Sequence, residues 1–152
     1  MILLRDYIDL EDTLIHMKYQ VQDSIAYARK IIPKFNTPEE LYYWLREKVQ
    51  YMNDPKDREL LMSLQTFCDG TRTGTAWGGD CDDFTIASLS ALHVNNFLPA
   101  YLILVGRKNI APTHVYAGVK DGRGIVPFDL TNEDYGYERR NYKYQQILPF
   151  SL

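Results

Sequence analysis

Three features of the sequence predict an α+β fold. Apolar residues recur at three-and-four spacing through the N-terminal half. A helix apolar almost all round follows from Asp80 to Val94. After it the pattern changes to apolar runs of strand length, two of them joined by a hairpin signal. Helices first and strands afterwards describe segregated layers, not alternating strand–helix–strand units.

The chain has 152 residues, enough for a single domain, 1–152, with a core of its own. A net charge of −3 gives no basic footprint, so nucleic acid is not expected as a partner. No apolar run approaches the ~20 residues of a membrane span, so no membrane is expected either. Met1-Ile-Leu-Leu-Arg-Asp6 meets charge too soon for a secretory signal. The two cysteines, Cys68 and Cys81, fit neither a zinc spacing nor a disulfide framework, which makes a reducing cytoplasm the default setting.

Leu10, Leu14, Met17, Val21, Ile25, Ala28 and Ile32 form one face of a long amphipathic helix that Pro33 stops. His16 lies beside that face and reads as a surface histidine. Thr37-Pro-Glu-Glu40 starts a second helix: Thr37 caps, Pro38 takes the first helical position and Glu40 can close a capping box. Leu41, Trp44, Leu45 and Val49 are its buried stripe, and Asn53-Asp54-Pro55 ends it. Asp54-Pro55 is also expected to open a third helix carrying Leu60, Leu61, Leu64 and Phe67 and closing at Cys68. Cys68 reads as packing; a resolving thiol for Cys81 is the sharper alternative.

Asp69 to Gly79 is a polar, glycine-rich loop. It is either a plain connection or one wall of a substrate groove, with Gly78, Gly79 and Asp80 at its end. The glycine pair permits a sharp turn. Asp80 is the natural N-cap of the central helix, and Cys81, Asp82 and Asp83 fill its first turn. Beyond them only Thr85, Ser88, Ser90 and His93 interrupt the apolar residues, so this helix is expected at the centre of the fold. Cys81 stands at its tip. A helix N-terminus favours thiolate over thiol, which makes Cys81 a candidate nucleophile. A small buried hydrophobe is the plainer reading.

Ala100 to Gly106 is an apolar run of strand length. Thr113 to Val119 and Gly124 to Leu130 are two more strands around Lys120-Asp-Gly-Arg123. With Asp121-Gly122 at the tip, in a four-residue loop, His114 falls directly opposite Asp129 at a Cα separation of roughly 4.5–5.5 Å. That register also puts Pro127 at a non-hydrogen-bonded position. An odd loop would send the two side chains to opposite faces. A His–Asp pair across a hairpin orients the imidazole and stabilises its charged form, as the third member of a nucleophile–base–orienter set does. A surface pair on a solvated face is the plainer alternative. Residues 132–152 form a tail with Tyr135, Tyr137, Tyr142 and Tyr144 and a short last strand near Tyr142 to Leu148. Such tyrosines suit a core edge or the surface of an assembly partner.

At Gly79-Asp-Cys-Asp-Asp83, Thr113-His-Val-Tyr116 and Phe128-Asp-Leu-Thr131 the chain resembles the transglutaminase-like superfamily of papain-type cysteine enzymes. The order Cys, His, Asp is the family's, and the likeness covers roughly residues 36–131, with 1–35 as an added N-terminal helix. Bacterial and phage-borne domains of this family look most similar. The resemblance implies a papain/transglutaminase-like α+β fold, with N-terminal helices and a central buried helix packed on a small antiparallel sheet. It also implies that Cys81 is the nucleophile, His114 the general base and acid, and Asp129 the orienter. The Cys81 backbone amide is then the expected oxyanion donor. An indole serves that role in cross-linking relatives, so Trp44 and Trp77 are further candidates.

Asp80, Asp82 and Asp83 oppose a thiolate at Cys81, so a charged His114 has to outweigh them, as an ion pair with the sulfur. Asp80, Asp82, His114 and Cys81 lack the ligand spacing of a metal site, and neither metal nor cofactor is expected. The expected function is a cysteine hydrolase or acyltransferase acting on an amide or peptide bond of a protein or peptide substrate, through a thioester. The alternative is a non-catalytic module of the same fold, used for binding or as a phage particle component.

Overall fold

The computed structural model describes residues 3–4, 10–53, 59–108, 112–122, 124–138 and 141–152. A short strand β1 (Leu3–Leu4) precedes α1 (Leu10–Ile31), whose buried stripe includes Met17, Val21 and Ala28. Helix α2 (Pro38–Lys48) starts at Thr37, whose hydroxyl accepts the Glu40 amide at 3.2 Å. Glu40 closes the turn through its carboxylate, which receives the Thr37 hydroxyl at 3.1 Å.

Helix α2 ends sooner than its stripe suggests. Val49 turns extended, and β2 (Gln50–Tyr51) pairs in parallel with β4 (Gly78–Gly79). The expected third helix is also shorter. Glu59–Leu60 form β3, antiparallel to β1, and α3 spans only Leu64–Asp69. Ser63 supplies its cap by accepting the Thr66 amide, and the expected start at Asp54-Pro55 lies outside the described residues. A left-handed Gly70 (φ +67°) ends α3, where a Cβ would stand 2.4 Å from the Ala76 nitrogen.

Helix α4 (Cys81–Val94) is the centre of the molecule, with α1 on one side and the main sheet on the other. Its buried hydroxyls bond back to the helix backbone. The hydroxyls of Thr85, Ser88 and Ser90 donate to the carbonyls of Cys81, Phe84 and Ile86, at 2.6–2.7 Å. The His93 ring does the same at the Leu89 carbonyl, at 2.7 Å. The polar side chains that would break the apolar surface are thereby absorbed.

The main sheet is antiparallel in the order β7-β6-β5-β8, formed by β5 (Ala100–Gly106), β6 (His114–Asp121), β7 (Gly124–Phe128) and β8 (Tyr144–Phe150). Leu102, Leu104, Val115, Ala117 and Val119 lie in the core with α4. The other face carries Ile103, Val105 and Tyr116, covered in part by Tyr101 and Tyr142.

The β6–β7 register differs from the expected one by two residues. Asp121 pairs with Gly124, so the connection is two residues long and begins at Gly122, whose φ of +58° suits the first position of a hairpin turn. The loop number stays even, and the faces are kept. Continued past Ala117–Phe128, the ladder sets Asp129 beside Tyr116, so His114 meets it diagonally. Pro127 keeps a non-hydrogen-bonded position, and its carbonyl accepts the Gly136 amide from outside the ladder at 3.2 Å. Among the described residues no helix is long and apolar enough to cross a membrane.

Asn95, just past α4, joins the helix to the linker after α1. Its Oδ1 accepts the Phe35 amide at 2.8 Å, and its Nδ2 reaches the Pro33 and Ala91 carbonyls at 3.1 and 3.2 Å. Asn95→Ala should cost about 2 kcal/mol, because it strands polar groups in a largely buried site. A urea midpoint unchanged from wild type would show that water replaces the side chain at no cost.

Candidate active site

The nucleophile candidate owes its position to a capping box. Asp80 Oδ1 accepts the Asp82 and Asp83 amides at 3.1 and 3.4 Å, and Asp83 Oδ2 accepts the Asp80 amide at 3.1 Å. Phe84 N–H donates to the Asp80 carbonyl at 3.0 Å. Of the first four helical amides only that of Cys81 has no acceptor among the described residues. It is the donor an oxyanion at this helix tip would meet.

The glycine pair is needed for space, not for backbone angle. A Cβ on Gly79 would stand 2.7 Å from both Cβ and Oδ2 of Asp83, and one on Gly78 would stand 2.6 Å from Met52 Sδ. The left-handed residue is instead Trp77, at φ +60°. Its strain is offset by neighbours: Trp77 N–H donates to the Phe67 carbonyl, and its own carbonyl receives the Gln50 amide, both at 2.9 Å. Met52 N–H to the Gly79 carbonyl, 2.7 Å, completes the tie between β2 and the segment before Cys81.

His114 Nε2 lies 2.7 Å from Asp129 Oδ2. Asp129, 6% exposed, is held from several sides. Its Oδ1 accepts the Thr131 amide at 3.0 Å and the Thr131 hydroxyl at 2.8 Å, and Asn132 Nδ2 donates to its Oδ2 at 3.3 Å. Its backbone carbonyl is 2.9 Å from the Tyr42 hydroxyl, which also stands 2.5 Å from the Asn132 carbonyl. A carboxylate so held acts as a fixed acceptor for the imidazole. With Nε2 engaged, Nδ1 is the nitrogen left to work as a base.

Cys81 is half-buried, and its helix packs on β6, the strand that begins at His114. Thr85 Oγ1 bridges the Cys81 and Val115 carbonyls at 2.6 and 3.2 Å. Burial pushes the Cys81 thiol well above its ordinary range, and the charges of Asp82, Asp80 and Asp129 add to it; a backbone hydrogen bond from Val115 works the other way. No hydrogen bond joins Sγ to the imidazole among the described residues. These surroundings favour a resting thiol over the ion pair expected from the sequence.

Trp44 and Trp77 belong to an aromatic cluster. Their rings meet edge-on at 6.1 Å, Phe35 and Phe67 pack on them at 6.0 and 5.8 Å, and Lys48 Nζ lies 4.5 Å from the Trp44 ring centre. Neither indole has a described contact with Cys81. Among the described residues no group of three or more His, Cys, Asp or Glu side chains is placed to hold a metal ion. Sequence reasoning missed Tyr42, Thr85 and Asn132, whose roles depend on distant partners. Thr131 was readable: Asp-x-Thr is the pattern of a turn closed by an aspartate side chain. Comparison with family models, with curated proteins and with solved structures finds no match to this chain.

Gly79→Ala should destabilise the fold by about 1–3 kcal/mol, since the methyl must displace the Asp83 carboxylate from the capping box. Equal thermal midpoints for the two proteins would show that the box can shift without loss. A second expectation concerns alkaline pH. Cys68 is buried, and burial first, then Asp69, raises its thiol from 9.0 to about 12. The folded state therefore keeps a proton that the unfolded state releases, and the stability this gives is full below pH 9.0 and lost as pH rises from 9.0 towards 12. Cys68→Ala should flatten the fall in urea midpoint over that window. An unchanged slope would assign the fall to Cys81 and the buried tyrosines alone.

Proposed function

We propose that the chain is a transglutaminase-like, papain-type cysteine hydrolase or acyltransferase acting on an amide or peptide bond. The observation that carries this reading is the 2.7 Å His114–Asp129 pair at the start of β6, the strand on which α4 packs with Cys81 at its head. Protein or peptide is the substrate class this chemistry fits, in a cytoplasmic setting.

The geometry supports a general-base route. His114 Nδ1 takes the Cys81 proton as sulfur attacks the carbonyl carbon. The S–C bond forms, and the carbonyl π electrons move to oxygen, which faces the Cys81 N–H. Asp129 holds the ring and balances the imidazolium charge. Collapse of the tetrahedral intermediate breaks the C–N bond, and the amine leaves with the proton from His114. Water or a second amine, deprotonated by His114, then attacks the thioester and returns the thiol. Thiol and base are commonly looser at rest than in the substrate complex, so a separated Sγ and imidazole suits this order of events.

A second reading is a non-catalytic module of the same fold, as in a phage particle. The raised Cys81 thiol and the lack of a hydrogen bond from Sγ to the imidazole favour it. A peptidyl electrophile that mimics an acyl donor separates the two. If the enzyme reading holds, Cys81 is labelled, His114→Ala slows labelling on the order of 100-fold, and Asp129→Asn slows it less. Equal labelling of wild type and His114→Ala would leave the module reading.

A further inference from the structure

We propose that Tyr116, anchored by Glu138 from the tail, is a positioning residue that fixes the ring plane of His114. The inference rests on reading His114 as the base.

Tyr116 is two residues beyond His114 in β6 and shares its face of the sheet. The two rings lie 5.6 Å apart at 33°. Asp129 holds one edge of the imidazole, and Tyr116 lies against its side. A hydrogen bond alone leaves a ring free to rock about the bond; a second contact from the side removes that freedom. The bond to Asp129 uses Nε2, so the reading of His114 as the base falls on Nδ1.

Tyr116 is itself held. It is 2% exposed, and its hydroxyl donates to Glu138 Oε2. Gln145 Nε2 lies 3.4 and 3.5 Å from the two Glu138 oxygens. Burial, then the bond to Glu138, raises the Tyr116 phenol, so it stays a neutral donor. Packing alone does not explain this arrangement. Phenylalanine would fill the same space beside Ile103 and Val105 without a hydroxyl needing a partner or a carboxylate to supply one. The hydroxyl and Glu138 fix the rotation of a side chain whose other neighbour is the candidate base. Part of the tail is thereby joined to the site, since Glu138 and Gln145 both follow Asp129 in sequence.

Labelling of Cys81 by the same peptidyl electrophile tests this in Tyr116→Phe, Glu138→Ala, Glu138→Gln and the double variant that combines Tyr116→Phe with Glu138→Ala. Tyr116→Phe, at a near-unchanged urea midpoint, and Glu138→Ala, at a midpoint lowered by the stranded Tyr116 hydroxyl, should each slow labelling on the order of 10-fold, through misplacement of the base. The double variant should be no slower than either single one, because the two residues act as a unit. Glu138→Gln keeps an acceptor for the phenol and should recover most of the loss. The imidazole carbon resonances of His114, assigned by their absence in His114→Ala, should broaden or shift in the two slow variants. Wild-type rates and resonances in both, with His114→Ala still slow, would overturn the positioning role and leave the enzyme reading intact. Additive losses in the double variant would overturn the coupling. Wild-type labelling in His114→Ala would remove the reading underneath.

Discussion

A helix buried on every side cannot leave its first amides to water, and much of this molecule follows from that constraint. The Asp80 carboxylate takes the Asp82 and Asp83 amides and the Asp83 carboxylate takes the Asp80 amide, which satisfies three groups at the tip of α4. Gly79 must lack a side chain so that Asp83 can reach back. Gly78 and Gly79 are then narrow enough to pair with β2, which ends α2 early and sets the strained Trp77 between them and α3. Among the described residues the amide left over is that of Cys81. The capping that fixes the helix tip thus leaves the one amide that the proposed function gives to an oxyanion.

The capping box has an electrostatic cost for chemistry. Burial opposes ionisation of the thiol most, and Asp82 and Asp80, the second of them the helix cap, add to it. A site of this kind cannot rely on a standing thiolate and needs a base that acts during attack. Asp129 meets His114 from within a set of bonds to Thr131 and Asn132, so its position is fixed by the chain that follows it rather than by the strand that precedes it.

Much of this was legible in the sequence because the signals are local. The Leu10–Ile32 stripe, the Thr37-Pro38 start, the Asp80 cap and the strand runs each depend on neighbours within a turn or a hairpin. The His114–Asp129 pair was legible for a related reason: parity survives a register shift of two, though the pairing does not. Residues 50–51 and 59–60 were not legible, since their strands are made by distant partners, Gly78–Gly79 and Leu3–Leu4. The Tyr42 contact with Asp129 spans 87 positions, and nothing near Tyr42 announces it.

The order of the sheet has a consequence for synthesis. Strand β5 lies between β6 and β8, and β8 is made last of the three. A nascent chain that has emerged only through Thr131 carries Cys81, His114 and Asp129, yet lacks Asn132, Glu138 and the whole of β8. One side of β5 then stays unpaired, and the face around Tyr116 stays open to water. Cys81, His114 and Asp129 thus leave the ribosome before Asn132, Glu138 and β8, and the bonds that brace Asp129 and Tyr116 are the last that synthesis makes possible.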